Sequence, residues 1–358
     1  MWKKVSLVLM TLFLATVGVM NCGNVSYAQK VRPGDFRTFP DIGLRRILML
    51  SLGTDEIETN DVKKIVINNG YDQYDDGVNI ESLKGLELFT NLEKLVVNGV
   101  TEEEFIYTHN AENEAILNSL THLKQFEIYG TIKGEDIKLA LPNLQILMLN
   151  DGYLSTDGNN SCYRALDVSQ CPKLKKLNCW GVKTLTNLVL PENGKLEYLA
   201  CGKTGLSTVT NLNKQTNLKV LACAYMKISK LPLSKLTKLR ELYCSKTKIK
   251  KIDVRKNKKL EVLDIDVGST KKIVYPSLMP KWFQLQLHKV KKNRSIKNYL
   301  PKGYRYIETD HGVTGKKLKD GYDPVTFKVK KVGNYLVFKK KNRAMSVEFS
   351  TRWWPQWN

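Results

Sequence analysis

An α/β solenoid is the fold class that this sequence predicts, and three observations predict it. A six-residue pattern recurs as LKKLNC at Leu174, LEYLAC at Leu196, LKVLAC at Leu218, LRELYC at Leu239 and LEVLDI at Leu260, with first leucines 22, 22, 21 and 21 residues apart. Fainter versions extend the pattern in both directions along the chain. A one-sided apolar stretch precedes the first of them, and alternating apolar segments follow the last.

In each unit the second and third apolar positions are alternate residues, so they fall on one face of a short strand. Such a strand cannot close a core alone, and the units must stack until their buried faces become continuous. This is the L-x-x-L-x-L grammar of a leucine-rich repeat. About ten rungs are expected. The earlier ones are Val62/Ile65/Ile67, Leu92/Leu95/Val97, Leu123/Phe126/Ile128 and Leu144/Leu147/Leu149, and the last is Trp282/Leu285/Leu287.

In chain order, residues 1–28 combine Lys3 and Lys4, an apolar run from Val5 to Met20 and the small-residue ending Ser26-Tyr27-Ala28, the pattern of a secretory signal cleaved after Ala28. The rival is a lipoprotein acylated on Cys22, against which stands the absence of a small residue in Val19-Met20-Asn21. The run is short for a membrane span, and none is expected in the mature chain. Residues 29–61 form an N-terminal helical cap: Asp41 starts a helix whose Leu44, Ile47, Leu48 and Leu52 share a face. Residues 62–290 are the solenoid. Three of its units are 30, 31 and 30 residues long, and their extra segments, from Asn69 to Asn79, Thr101 to Glu114 and Asn150 to Ser161, read as surface loops. Residues 291–358 form a small C-terminal β module, with strands around Tyr304 to Ile307, Val325 to Lys330, Asn334 to Phe338 and Ala344 to Phe349. Phe327/Val329, Tyr335/Val337 and Val347/Phe349 are expected to face its core, with a turn at Gly333-Asn334. Trp353, Trp354 and Trp357 are expected to pack back onto a sheet or the last rung, the alternative being an aromatic cluster that binds sugar.

Cys179, Cys201, Cys223 and Cys244 occupy one rung position in successive repeats, where they serve as small apolar core residues and stay free thiols. Cys162 and Cys171, around an irregular segment, are the pair to test for a bridge.

FPDIGLRRIL at Phe39, followed by IESLKGLELFTNLEKLVVNG from Ile80, resembles the capped repeat domains of internalin-like secreted proteins of Gram-positive bacteria, and LDVSQCPKLKKLNC at Leu166 resembles a bacterial repeat variant with cysteine in the rung. The resemblance covers roughly residues 39–290. It implies a curved domain for recognition or adhesion at a surface, without catalysis. Where the family has an asparagine ladder this chain has Thr204, Met226 and Thr247, so its turns are expected to rest on hydroxyls. No sorting motif or hydrophobic tail follows Phe349, so covalent wall anchoring is not carried over.

Function should reside where strand residues alternate with the buried ones, on the concave face. The middle column runs Val66, Val96, Glu127, Met148, Asn178, Ala200, Ala222, Tyr243, Asp264, Gln286. With its flanks it gathers Tyr129, Ile146, Met148, Trp180, Tyr198, Val220 and Tyr243, an apolar and aromatic patch expected to bind a protein or glycan ligand. The bland alternative is that loops or the C-terminal module cover it.

Charge divides the chain. Residues 29–170 carry a net −10, and residues 171–358 a net +30. Lys289, Lys291, Lys292, Arg294, Lys316, Lys317, Lys339, Lys340 and Lys341 concentrate the positive end and are the expected contacts to an anionic cell-wall or surface polymer. Nucleic acid fits less well, because lysine dominates over arginine and export separates the chain from its chromosome. An enzyme finds little support: His109, His122, His288 and His311 lack metal-ligand spacing, and no nucleophile elbow occurs. The acidic loops near Asp72 and Asp151 lack the alternating carboxylates of a calcium site. No metal or cofactor is expected. The reading is an exported recognition protein with a basic attaching half. Its alternatives are a polyanion-binding protein whose repeats are scaffold, and a hydrolase hidden in the C-terminal module.

Overall fold

Burial of one face of each short strand forces the strands to stack, and ten of them do. The computed structural model describes residues 29–68, 78–98, 105–150, 161–288, 296–309, 313–314, 317–318, 321–322, 328–329, 335–341 and 343–348. In it the ten rungs are Lys64–Asn68, Lys94–Asn98, Gln125–Tyr129, Ile146–Asn150, Lys176–Asn178, Tyr198–Ala200, Val220–Ala222, Glu241–Tyr243, Val262–Asp266 and Trp282–His288, hydrogen-bonded in that order. Every pairing is parallel, and the central leucines face one another: Leu147 opposite Leu177, then Leu199, Leu221, Leu242, Leu263 and Leu285. All seven are completely buried. Each such side chain is worth roughly 1.5–3 kcal/mol relative to water, so the column is the main source of cohesion.

Trp282 departs from expectation. It aligns in sequence with Leu260, yet it is 52% exposed while the next residue, Phe283, is buried and packs edge-on against Tyr275 at 5.8 Å. The larger indole does not enter the slot that a leucine fills. The segment expected as a loop from Thr101 to Glu114 also differs, because its described part forms the strand Ile106–His109 and opens the helix Ala111–Ser119. Tyr107 and His109 are buried there, and buried Asn113 holds the turn by accepting from Leu83 N and donating to Glu81 O and Thr108 O.

The cap helix spans Ile42–Leu52 and buries Leu44, Ile47 and Leu48 over the first rung. Asp41 caps it, accepting from Leu44 N at 2.7 Å with one carboxylate oxygen and from Glu81 N and Ser82 N with the other. One side chain thus ends the helix and ties it to the next repeat. At the far end Arg343–Glu348 pairs in parallel with the tenth rung, Leu285 opposite Val347, and antiparallel with Tyr335–Lys340. Arg305–Thr309, Gly321–Tyr322 and Lys317–Leu318 continue the sheet outward. Met345 and Val347 are buried, so these strands prolong the rung sheet and its core. Neither end of the ladder then presents a bare apolar face. Residues 1–28, expected as a secretory signal, and Phe327, Gly333-Asn334, Phe349 and the three terminal tryptophans lie outside the described residues.

The turns that leave rungs five to eight repeat one backbone device. Gly181, Lys203, Tyr225 and Lys246 all take positive φ, at 93°, 56°, 63° and 53°. For the three non-glycine residues this costs on the order of 1 kcal/mol each. Hydroxyls brace two of the turns, as expected: Thr204 Oγ1 donates to Cys201 O at 2.8 Å, and Thr247 Oγ1 to Cys244 O at 2.9 Å. Met226, at the intervening position, instead packs its sulfur 3.6 Å from Cys201 Sγ.

No two of the described cysteines are bridged, which corrects the possible Cys162–Cys171 bridge: Cys162 is exposed, whereas Cys171 is buried and donates to Leu139 O. Burial pushes the Cys179 thiol up to about 12, and burial likewise raises Cys201, Cys223 and Cys244. Thiolate is the reactive form, so the ladder is inert while folded. Native protein beginning at residue 29 is therefore expected to react with a thiol reagent at Cys162 alone, and the remaining thiols only after denaturation; fast labelling of Cys201 or Cys223 in native protein would contradict the packed ladder.

Candidate ligand-binding face

The open face of the rung sheet begins with what the strand alternation leaves out of the core. Between buried Leu199 and Cys201 stands Ala200, and the same column continues through Ala222 to Tyr243. These three form an apolar cluster of their own, separate from the main core, with Trp180, Tyr198, Val220 and Val262 packed against it half-exposed. Small side chains on rungs six and seven make a floor, and aromatic rings on rungs five, six and eight make its walls.

Trp180 owes its position to glycine. A Cβ on Gly202 would lie 2.0 Å from Trp180 Cζ3 and 2.5 Å from Ala224 O, so the indole lies directly over the backbone of the next repeat. Its own N–H on the main chain donates to Asn178 Oδ1 at 2.9 Å. Tyr243 is fixed by donating to Glu241 Oε2 at 2.9 Å, and Tyr129 by donating to Glu127 Oε2 at 3.0 Å. Burial raises the Tyr198 and Tyr243 phenols, Tyr198 further through Tyr243 and Glu241 and Tyr243 through Glu241, so both are neutral in ordinary buffers. The face is thus uncharged at its centre, with the half-exposed Glu241 at its edge.

Of the residues singled out from sequence, Trp180, Tyr198, Val220 and Tyr243 come together in one cluster. Ile146 and Met148, on rung four, and Tyr129, on rung three, are half-exposed on the same sheet but do not belong to it. Val262 was missed. Its signal was available, because Val220, Glu241 and Val262 are register partners spaced 21 residues apart.

Beyond Tyr243 the face becomes a buried polar group. Asp264, fully buried, accepts from Ser245 N at 3.1 Å and meets His288 Nε2 at 2.7 Å. Serine, aspartate and histidine are thereby neighbours, but the serine reaches the aspartate through its main chain, and Ser245 Oγ makes no hydrogen bond to the imidazole. The nucleophile-to-base contact that a hydrolase requires is not made in this group. Its evident role is to satisfy a carboxylate that the repeat places in the interior.

The basic residues are divided by what is described. Lys317, Lys339 and Lys340 lie on the C-terminal strands, and Lys341 is exposed at the turn before Arg343. Lys289, Lys291, Lys292, Arg294 and Lys316 lie outside the described residues, as do both acidic loops considered for calcium. Among the described residues no group of three or more His, Cys, Asp or Glu side chains is placed to hold a metal, and no helix is long and apolar enough to cross a membrane.

Gly202→Ala is expected to push the indole off its seat and lower stability by about 1–3 kcal/mol, as overpacking does. Tryptophan emission and a denaturant melt check this; an unchanged melt and spectrum would mean that Trp180 does not rest there.

No protein-family profile and no curated protein matches the chain. Among solved structures, InlP of Listeria monocytogenes is 14% identical with a TM-score of 0.45, over 90% of this chain and 98% of that one. The functional domain of InlJ from the same organism, which includes a cysteine ladder, is 17% identical with a TM-score of 0.27, over 90% and 99%. An internalin of that organism, inlF, is 20% identical with a TM-score of 0.30, over 72% and 86%. By its own rungs, register and cap, this chain is a leucine-rich repeat solenoid protein, and the solved structures it is similar to include internalins.

Proposed function

We propose that the chain is a recognition protein whose open sheet face, at rungs five to eight, binds a protein ligand. The observation that carries this is the second apolar cluster, packed on the side of the sheet that the core does not need. Rings held by neighbouring hydrogen bonds and by the Gly202 seat lose little freedom on binding, which suits them to act as anchors. The half-exposed carboxylate of Glu241 beside a neutral centre favours a partner that presents an apolar anchor next to a Lys, Arg or other donor. Adhesion at a surface, after export through the segment before residue 29, is the setting that the sequence supports. The net +30 of residues 171–358 supports attachment to anionic surfaces by the second half of the chain. Nothing in this reading calls for catalysis.

Substituting both Trp180→Ala and Tyr198→Ala removes the walls but leaves the leucine column intact. Partners recovered from extracellular and surface-protein extracts with wild type should fall at least about tenfold with the double variant, as loss of a single hot-spot residue commonly costs about 2 kcal/mol. Equal recovery by a folded double variant would overturn the reading.

A further inference from the structure

The solenoid carries a second surface, on its descending flank, that neither its core nor its open face uses. There the repeat places Lys230, Lys251 and Lys272 at steps of 21 residues. Lys251 and Lys272 are direct register partners on the parallel strands Lys251–Asp253 and Lys272–Val274, which sets them about 4.8 Å apart at the backbone. One residue back, Lys271 N donates to Lys250 O at 2.8 Å, so Lys250 and Lys271 are stacked in the same way. All five, with Lys248, are exposed.

Like charges directly opposite one another destabilise a sheet. The ascending flank avoids this by alternating sign: Lys124 pairs with Glu93 at 2.9 Å, Lys219 with Glu197 at 2.6 Å, and Arg240 with Glu261 at 3.7 Å. The descending flank does the reverse over rungs seven to nine. Residues 246–260 hold eight Lys and Arg against one carboxylate, Asp253, which Arg255 already binds at 2.6 Å. On the earlier repeats of the same flank the pattern is absent: Asp136 there accepts from Arg164 N and Ala165 N, and Thr186 and Asn187 take the outward positions. Apart from Lys64 opposite Lys94 on the first two rungs, lysine stacked on lysine is gathered in this one footprint, where it concentrates charge of one sign at a cost to the fold.

We propose that this lysine ladder is a docking strip for a linear phosphate polymer without bases. A strip of point charges repeating at rung spacing matches a chain with one anionic group per link. Ammonium groups bind phosphate oxygens as point charges and do not require the planar fork of arginine, and the one arginine here is engaged by Asp253. Nucleic acid would want exposed rings for stacking. Tyr225, on the turn after rung seven, is 38% exposed, but one face of its ring is taken by Lys246, whose Nζ lies 4.6 Å from the ring centroid. The strip differs from the open face in residues and in charge, so it can work whether or not that face binds a protein.

The test uses the whole chain and long-chain inorganic polyphosphate as probe. Lys250→Gln/Lys251→Gln/Lys272→Gln is compared with Lys133→Gln/Lys183→Gln/Lys195→Gln, which removes the same charge from exposed sites elsewhere. The first triple should weaken binding at least about tenfold and flatten the slope of log affinity against log salt by about two to three, since each lost phosphate contact removes just under one. The control triple should change affinity less than about threefold, because scattered exposed charges are largely screened. Equal losses in both triples would reduce the effect to net charge and overturn the strip. So would affinity unchanged in the first triple but lost in Lys339→Gln/Lys340→Gln/Lys341→Gln, which would place the anion on the C-terminal strands. Tighter binding of heparin or single-stranded DNA than of polyphosphate, with the same loss in the first triple, would overturn the assignment to a phosphate polymer.

Discussion

Everything in this molecule depends on the parallel register that sets Leu147, Leu177, Leu199, Leu221, Leu242, Leu263 and Leu285 in one buried column. No rung owns a core. Each leucine is desolvated only because the rungs before and after it are in place, so cohesion passes from neighbour to neighbour along the chain. The two ends would otherwise expose the column, and the molecule closes them differently: a helix tied down by Asp41 at the start, and antiparallel strands grafted onto rung ten at the finish.

That register also determines what the surfaces can be. Because every column repeats at about 4.8 Å, a residue type recurring in the sequence becomes a stripe in space. Cysteines recurring at one position make a buried ladder of protonated thiols. Alternating charges make the self-neutralised ascending flank, alanines flanked by rings make an apolar basin, and lysines make a strip of one sign. The first two consume their chemistry within the fold. The last two leave theirs unspent, and for that reason they are where partners are sought.

The rungs were legible in the sequence because burial of alternate residues leaves a strict spacing, and all ten strands stand where that spacing puts them. Asp41 and the cap helix were legible for a similar reason, a cap residue followed by a one-sided apolar face. Less was visible where one residue settles the structure without periodicity. Nothing in the spacing distinguishes Trp282 from a rung leucine, since the difference is one of volume. The strand Ile106–His109 and the helix Ala111–Ser119 were hidden inside a long unit, since Tyr107, His109 and Asn113 are polar or amphiphilic residues buried by specific hydrogen bonds. The candidate face was half legible. Its columns follow from alternation, but the seat of Trp180 over Gly202 depends on a close approach that spacing cannot encode, and it separates the four clustered residues from Tyr129, Ile146 and Met148.

The central claim is that the basin at rungs five to eight is open to a partner and not roofed by the chain's own segments. Hydroxyl-radical footprinting of the full-length protein, read residue by residue, tests it most directly. The account predicts oxidation of Trp180 and Tyr198 at rates approaching those of exposed Tyr225 and Trp282, with buried Tyr107 and Tyr163 protected. Protection of Trp180 and Tyr198 to the level of Tyr107 and Tyr163 in the isolated protein would mean that the basin is covered from within, and would contradict the account.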